Sequence, residues 1–186
     1  LRCVTEFRRV LFRSINFNAD GYEVNPVIIS PERKAQLNQN LMLFFTGFSR
    51  FSSDIQQTTE KALVDKQKQL LEMLSLVDDA EKVLTSKTDL NEFGRLLDYT
   101  WKLKRGISSR ISTDSIDGLY AKGIEAGALG GKLLGAGGGG FLLFYVEPDK
   151  QESVHKAMEE LLYVPFEFEN SGTRVIHYTP ETYEKR

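Results

Sequence analysis

"GALGGKLLGAGGGGFLLFYV", residues 127–146, decides how the rest of this chain is read. Eight of the chain's fifteen glycines fall between Gly127 and Gly140. A glycine inside a helix or strand costs up to about 1 kcal/mol relative to alanine, so a cluster this dense must do something that side chains cannot. Two tasks fit: a cradle for a phosphate group, or a tight crossing between elements.

The familiar nucleotide loops do not fit. A Walker A loop follows a strand and opens a helix with Lys-Ser/Thr, so that loop amides and helix N-terminus both face the phosphates. Here the apolar face Ile116, Leu119, Tyr120, Ile124, Ala128 predicts a helix running to Lys132–Leu134 before the glycines, and "FLLFYV" predicts a central strand after them. The Rossmann fingerprint fails for the same reason. What remains is "GAGGGG", comprising Gly135, Ala136, Gly137, Gly138, Gly139 and Gly140, whose backbone N–H groups can form an anion-binding nest. On this reading the negative end of a helix dipole points at the loop, so a phosphate there needs cations from elsewhere. Arg50, Arg105, Arg110 and Lys132 border the polar loops, although a helix-end Lys132 also serves simply to solvate last-turn carbonyls. Gly123, Gly127 and Gly131 recur on one helical stripe that another backbone could approach closely.

Upstream, "INFNADGYEVNPVII" alternates about a β-hairpin turning at Asp20-Gly21, and Pro26 and Pro31 punctuate the chain beyond the turn. "LMLFFTGF" predicts a buried strand from Leu41 that delivers Thr46, Gly47 and Arg50 to a loop. Leu63, Leu70, Leu74, Val77 and Leu84 define the inner face of a long helix, with a break expected near Asp78. Asp89 and Glu92 form a capping box for a second helix with the face Leu90, Phe93, Leu97, Trp101, a core stripe ended by Arg105-Gly106. "ISSRIST" is a polar loop in which Thr113 or Ser112 caps a third helix, with Asp114 and Asp117 in its first turn. Downstream, Pro148-Asp149 opens a helix with Val154, Met158 and Leu161 inward, and "PFEFEN" and "TRVIHY" read as strands around Ser171-Gly172. The order is hairpin, strand, three helices, strand, helix, two strands, an α+β domain with helices on an antiparallel sheet.

The totals narrow the function. A net charge of −2 with interspersed signs gives no electrostatic footprint for nucleic acid. The longest apolar run, Phe141 to Val146, is far short of the roughly 18 residues of a membrane span. A single cysteine, Cys3, forms no internal disulfide and fits a reducing, cytoplasmic setting; His155 and His177 lack neighbours at metal-ligand spacing. The first stretch, "LRCVTEFRRVLFRS", has no initiating Met and no signal-peptide pattern, and residues 1–14 read as an extension foreign to the domain.

These residues carry a family resemblance. "GALGGKLLGAGGGGFLLFYV" resembles the third motif of the GHMP kinases, named for galactokinase, homoserine kinase, mevalonate kinase and phosphomevalonate kinase. With "LFFTGFSRFSSDI" and the hairpin, it looks like the branch acting on D-glycero-D-manno-heptose 7-phosphate, over roughly residues 15–180. The resemblance implies a ferredoxin-like C-terminal domain with extra helices over residues 35–186, and a hairpin, 15–34, belonging to a partner N-terminal kinase domain. It implies ATP and Mg2+ as cofactors and transfer of the γ-phosphoryl group to a sugar phosphate. The ATP loop of that family, Pro-x-x-x-Gly-Leu-Gly-Ser-Ser-Ala, does not occur here, so the ATP loop and the acidic base are expected in the N-terminal domain, and these 186 residues are expected to be inactive alone. Gly135–Gly140 would lie beside the transferred phosphate, with Thr46, Arg50, Ser108, Ser109, Arg110, Thr113, Asp114 and Lys132 as substrate-binding candidates. A planar guanidinium, Arg50 or Arg110, suits a sugar phosphate. A non-catalytic ferredoxin-like binding module and a kinase for fucose or galactose are the alternatives.

Overall fold

A computed structural model describes residues 12–47, 66–108, 111–134 and 139–168. The chain divides into two units, one of residues 1–27 with 168–186 and the other of residues 28–167.

In the first unit, β1 (Arg13–Asn18) pairs antiparallel with β2 (Gly21–Pro26). Asn18 opposes Gly21, so the two-residue turn is Ala19-Asp20, one position earlier than the expected Asp20-Gly21. The Asp20 N–H donates to Asn18 Oδ1 at 3.0 Å, an Asx turn that fixes the earlier reversal. Ile15 opposite Val24 and Phe17 opposite Tyr22 form an apolar face that is largely exposed, with Phe17 80% accessible.

The second unit opens with a helix where the sequence pattern suggests only punctuation by prolines. Ser30 caps α1 (Pro31–Gln39): its Oγ accepts the Arg33 N–H at 3.2 Å, and Pro31 takes the first helical position, where its missing N–H costs nothing. Next come β3 (Leu41–Phe45), α2 (Gln67–Thr85), α3 (Asn91–Arg105) and α4 (Asp114–Glu125). β4 (Gly130–Leu134), β5 (Phe141–Tyr145), a 3-10 turn at Pro148–Lys150, α5 (Gln151–Ala157) and β6 (Leu162–Tyr163) complete it. The sheet order β4-β5-β3-β6, antiparallel throughout, is the ferredoxin-like arrangement, with the helices α2–α4 inserted between β3 and β4. Phe44, Leu133, Leu142 and Phe144 of the sheet meet Trp101, Ile116, Tyr120, Val154 and Met158 of the helices in one core.

The main correction concerns residues 126–134. The third predicted helix stops at Glu125, not near Leu134. Gly127 adopts φ +115°, its N–H donates to Ile124 O, and the Ala128 N–H donates to Gly123 O, both at 3.0 Å. That is a Schellman termination, and it frees Gly130–Leu134 to pair with β5 as a strand. The glycine stripe dissolves accordingly. Gly123 accepts the ring of Phe144, whereas Gly130 lets α3 approach: a Cβ there would lie 1.9 Å from the Gly94 carbonyl oxygen.

Other expectations change as well. Helix α2 runs unbroken through Asp78, and Leu74 and Val77 are 64% and 49% exposed, while Val83 and Leu84 are buried and Leu70 and Met73 pack against the core. Leu63 lies outside the described residues. The buried C-terminus of α2 is held by the Arg33 guanidinium, which donates to the carbonyls of Val83, Leu84 (3.0 Å) and Thr88 (2.6 Å). At the start of α3, Asp89 Oδ1 accepts the Asn91 N–H at 3.0 Å, but Glu92 pairs with Arg95 rather than closing a capping box. Strand pairing ends with the Val164 N–H on Leu43 O at 2.8 Å, because Pro165 has no N–H to continue it. "PFEF" is therefore not a strand, and "TRVIHY" lies outside the described residues.

Candidate active-site cleft

β4 and β5 are consecutive antiparallel strands with Leu134 opposite Phe141, so Gly135–Gly140 connects two strands instead of ending a helix. Thr46 fixes the loop's downstream end. Its N–H and Oγ1–H both donate to Gly140 O at 2.9 Å, and its Oγ1 accepts the Gly140 N–H at 3.1 Å. Thr46 is only 5% exposed, so these bonds are shielded from competing water. Gly140 sits at φ +114°, a conformation strained for any other residue.

Beside this clamp lies a cleft of about 420 Å3. Thr46 forms one wall, Asp114, Ser115, Gly118 and Lys122 of α4 a second, and Glu160-Leu161 a third. The nearest helix end is thus the N-terminus of α4, whose dipole is positive, which reverses the electrostatic objection to an anion drawn from the sequence. Thr113 caps that end, its Oγ1 accepting the Ile116 N–H at 3.3 Å. The preceding loop is fastened to the same turn: Arg105 Nη1 lies 2.7 Å from Asp117 Oδ1, and the Ser112 hydroxyl donates to that oxygen at 2.6 Å. Ile107 and Ile111, 6% and 2% exposed, anchor the loop in the core.

The predicted site residues separate into groups. Thr46 and Asp114 meet in the cleft, with Thr113 capping the helix behind them. Gly139 and Gly140 lead into β5. Ser108 lies in the α3–α4 loop, where its carbonyl accepts the Ile111 N–H at 3.1 Å, and it does not line the cleft. Lys132 is in the middle of β4, not at a helix end. Burial holds its ammonium below the ordinary lysine range; Lys104 is lowered too, first by burial and then by the Lys132 charge. Arg50, Ser109, Arg110 and Gly135–Gly138 lie outside the described residues. Lys122 and Glu160, which close the cleft with an ion pair of 2.6 Å, are absent from the candidates that the sequence suggests. Lys122 was legible as the residue two turns after Asp114 on the same helical face, but Glu160 enters only through the tertiary fold.

No helix among the described residues is long and apolar enough to cross a membrane.

The glycine-rich connection thus joins the edge strand β4 to the central strand β5 of a ferredoxin-like sheet and is clamped beside a cleft. Residues 76–164 match the family model described as GHMP kinases C terminal, and this chain carries a GHMP kinase C-terminal domain. It is 33% identical over 162 residues to a D-glycero-alpha-D-manno-heptose 7-phosphate kinase of Campylobacter jejuni, covering 85% of this chain and 48% of that protein. A bifunctional fucokinase/GDP-fucose pyrophosphorylase of Arabidopsis thaliana is 24% identical, covering 74% of this chain and 13% of that protein. Among solved structures, L. major mevalonate kinase in complex with R-mevalonate superposes with a TM-score of 0.63 at 19% identity, over 80% of this chain and 44% of that one. The chain spans about half the length of the heptose-phosphate kinase that it matches.

Proposed function

We propose that this chain is the C-terminal part of an ATP-dependent sugar kinase that phosphorylates the anomeric hydroxyl of D-glycero-D-manno-heptose 7-phosphate, for nucleotide-activated heptose and surface polysaccharide. The observation that carries the reading is the Thr46–Gly140 clamp, which holds the exit of the glycine connection beside the N-terminal turn of α4. Phosphoryl transfer depends on positioning and charge stabilisation, and a glycine connection whose exit is clamped beside a positive helix end suits both. The match to a heptose-phosphate kinase supports the sugar. In this proposal the loop Gly135–Gly140 lies beside the transferred phosphate. Thr46 and Asp114 face the sugar, Thr113 positions the turn behind them, Ser108 and Ser109 belong to the substrate-binding loop that leads into that turn, and Arg50, Arg110 and Lys132 supply positive charge.

ATP and the acidic base belong to an upstream N-terminal kinase domain, of which the hairpin Arg13–Pro26 forms an edge, and the 186 residues alone do not turn over ATP. Among the described residues no cluster of three His, Cys, Asp or Glu side chains is placed to hold a metal. The protein works in the cytoplasm in this reading. The relationship to a fucokinase favours one alternative, a different sugar at the same site. The test is an ATP-coupled assay of the intact protein against heptose 7-phosphate, fucose and galactose. Turnover confined to heptose 7-phosphate is expected, and turnover of fucose or galactose alone would replace the sugar assignment.

A further inference from the structure

The cleft contains more recognition chemistry than the sequence alone assigns to it. Two carboxylates, Asp114 and Glu160, and one ammonium, Lys122, line it, leaving a net negative charge. Inside the cleft this net charge outweighs the roughly half-charge of the α4 N-terminus, so its walls disfavour a sugar phosphate of about −1.5 to −2 and accept neutral hydroxyls, and the helix end serves only the transferred phosphate at the glycine connection. Each group also has unused capacity. Asp114 has no hydrogen-bond partner among the described residues, so all of its acceptor sites face the cleft or solvent. Lys122 Nζ and Glu160 Oε1 are 2.6 Å apart, which leaves two donor protons on one and most acceptor positions on the other. An ammonium–carboxylate pair presents a donor and an acceptor side by side, as neighbouring hydroxyls on a carbon chain require. Leu119 and Leu161 add apolar surface suited to the C–H face of a sugar. Asp114 and Lys122 are eight residues apart on α4, about 12 Å along its axis, a span suited to a ring extended by an exocyclic chain.

We infer that this cleft is the polyol subsite of the kinase: Asp114 at one end and the Lys122–Glu160 pair at the other read hydroxyls of the sugar, not its phosphate. The inference rests on the sugar-kinase reading above and deepens it, making Lys122 and Glu160 specificity-determining residues. It also sends the sugar's phosphate elsewhere, to the arginines.

The test is steady-state kinetics of the intact enzyme with Glu160→Gln and Lys122→Met, using heptose 7-phosphate, a hexose 6-phosphate and ATP as varied substrates. A lost hydrogen bond to a charged group corresponds to at least about a tenfold rise in KM for heptose 7-phosphate. The KM for ATP should stay within about twofold, and preference for the heptose over the hexose should fall. Glu160→Asp, which keeps the charge, should recover part of the preference. A wild-type enzyme active on heptose 7-phosphate whose KM and sugar preference are unchanged in both variants would overturn the inference and leave the sugar-kinase reading standing. A wild-type enzyme that phosphorylates no sugar would overturn both.

Discussion

Replacing Thr46 with valine removes one hydroxyl and almost nothing else, because the two side chains have nearly the same shape. In the wild-type protein that hydroxyl donates to Gly140 O at 2.9 Å and accepts the Gly140 N–H at 3.1 Å. The Gly140 carbonyl keeps its bond from the Thr46 N–H, also 2.9 Å, so the loss falls on the Gly140 N–H, which is left without its acceptor. Orphaning a shielded backbone donor costs about 1–3 kcal/mol, and the partly buried setting of these bonds places the change near about 2 kcal/mol. For a chain of this size that is about 4–8 °C in Tm. The assay is a thermal melt of wild type, Thr46→Val and Thr46→Ser, paired with amide hydrogen exchange at Gly140. Serine keeps the hydroxyl and should retain protection at Gly140, while valine should lose it. An unchanged Tm together with unchanged exchange at Gly140 in Thr46→Val would refute the clamp.

Gly130→Ala drives a methyl group to within 1.9 Å of the Gly94 carbonyl oxygen, so α3 must shift, at a cost of about 1–3 kcal/mol that a urea titration would register as a lower midpoint. Arg33→Ala leaves the carbonyls of Val83, Leu84 and Thr88 without their donor, and faster amide exchange should appear first at the end of α2 and not across the sheet. Lys132 has a folded-state pKa below its unfolded value of 10.5, so the unfolded chain binds more protons and stability rises with pH through the window below 10.5. Lys132→Met should therefore be more stable than wild type near neutrality, with the gap closing toward pH 10.5; a constant gap across that range would contradict the buried charge.

The long-range logic of the fold was largely legible where a residue type admits one role. "LMLFF" and "FLLFY" became neighbouring strands because continuous apolar runs need cover on both faces, and Thr113 became a cap because its hydroxyl competes best at a helix start. The missed boundary at Glu125 had a signal, since Gly127 lies just past the helix end, but the apolar periodicity through Ala128 masked it. Glycines 130 and 131 read as helix continuation because their purpose, close approach of α3 and of β5, exists only in the folded state. Leu74 and Val77 follow helical spacing yet stand exposed, since periodicity marks a face without saying what meets it. In the site, Thr46 and Asp114 were reachable from their loops, whereas Glu160 reaches the cleft by way of α5 and carried no local mark.

The Thr46–Gly140 clamp immediately follows the last β3–β5 pair, Phe45 opposite Phe141, although the two partners are 94 residues apart in sequence. The cleft's alignment is consequently inherited from a ladder of five apolar pairs that do not line it. A slip of one residue in that ladder would turn the threonine hydroxyl to the opposite side of the sheet and separate it from α4. Substitutions in β3 or β5 that leave stability intact but loosen pairing should therefore emerge as losses of substrate affinity, as a vernier loses its reading when its scale slides.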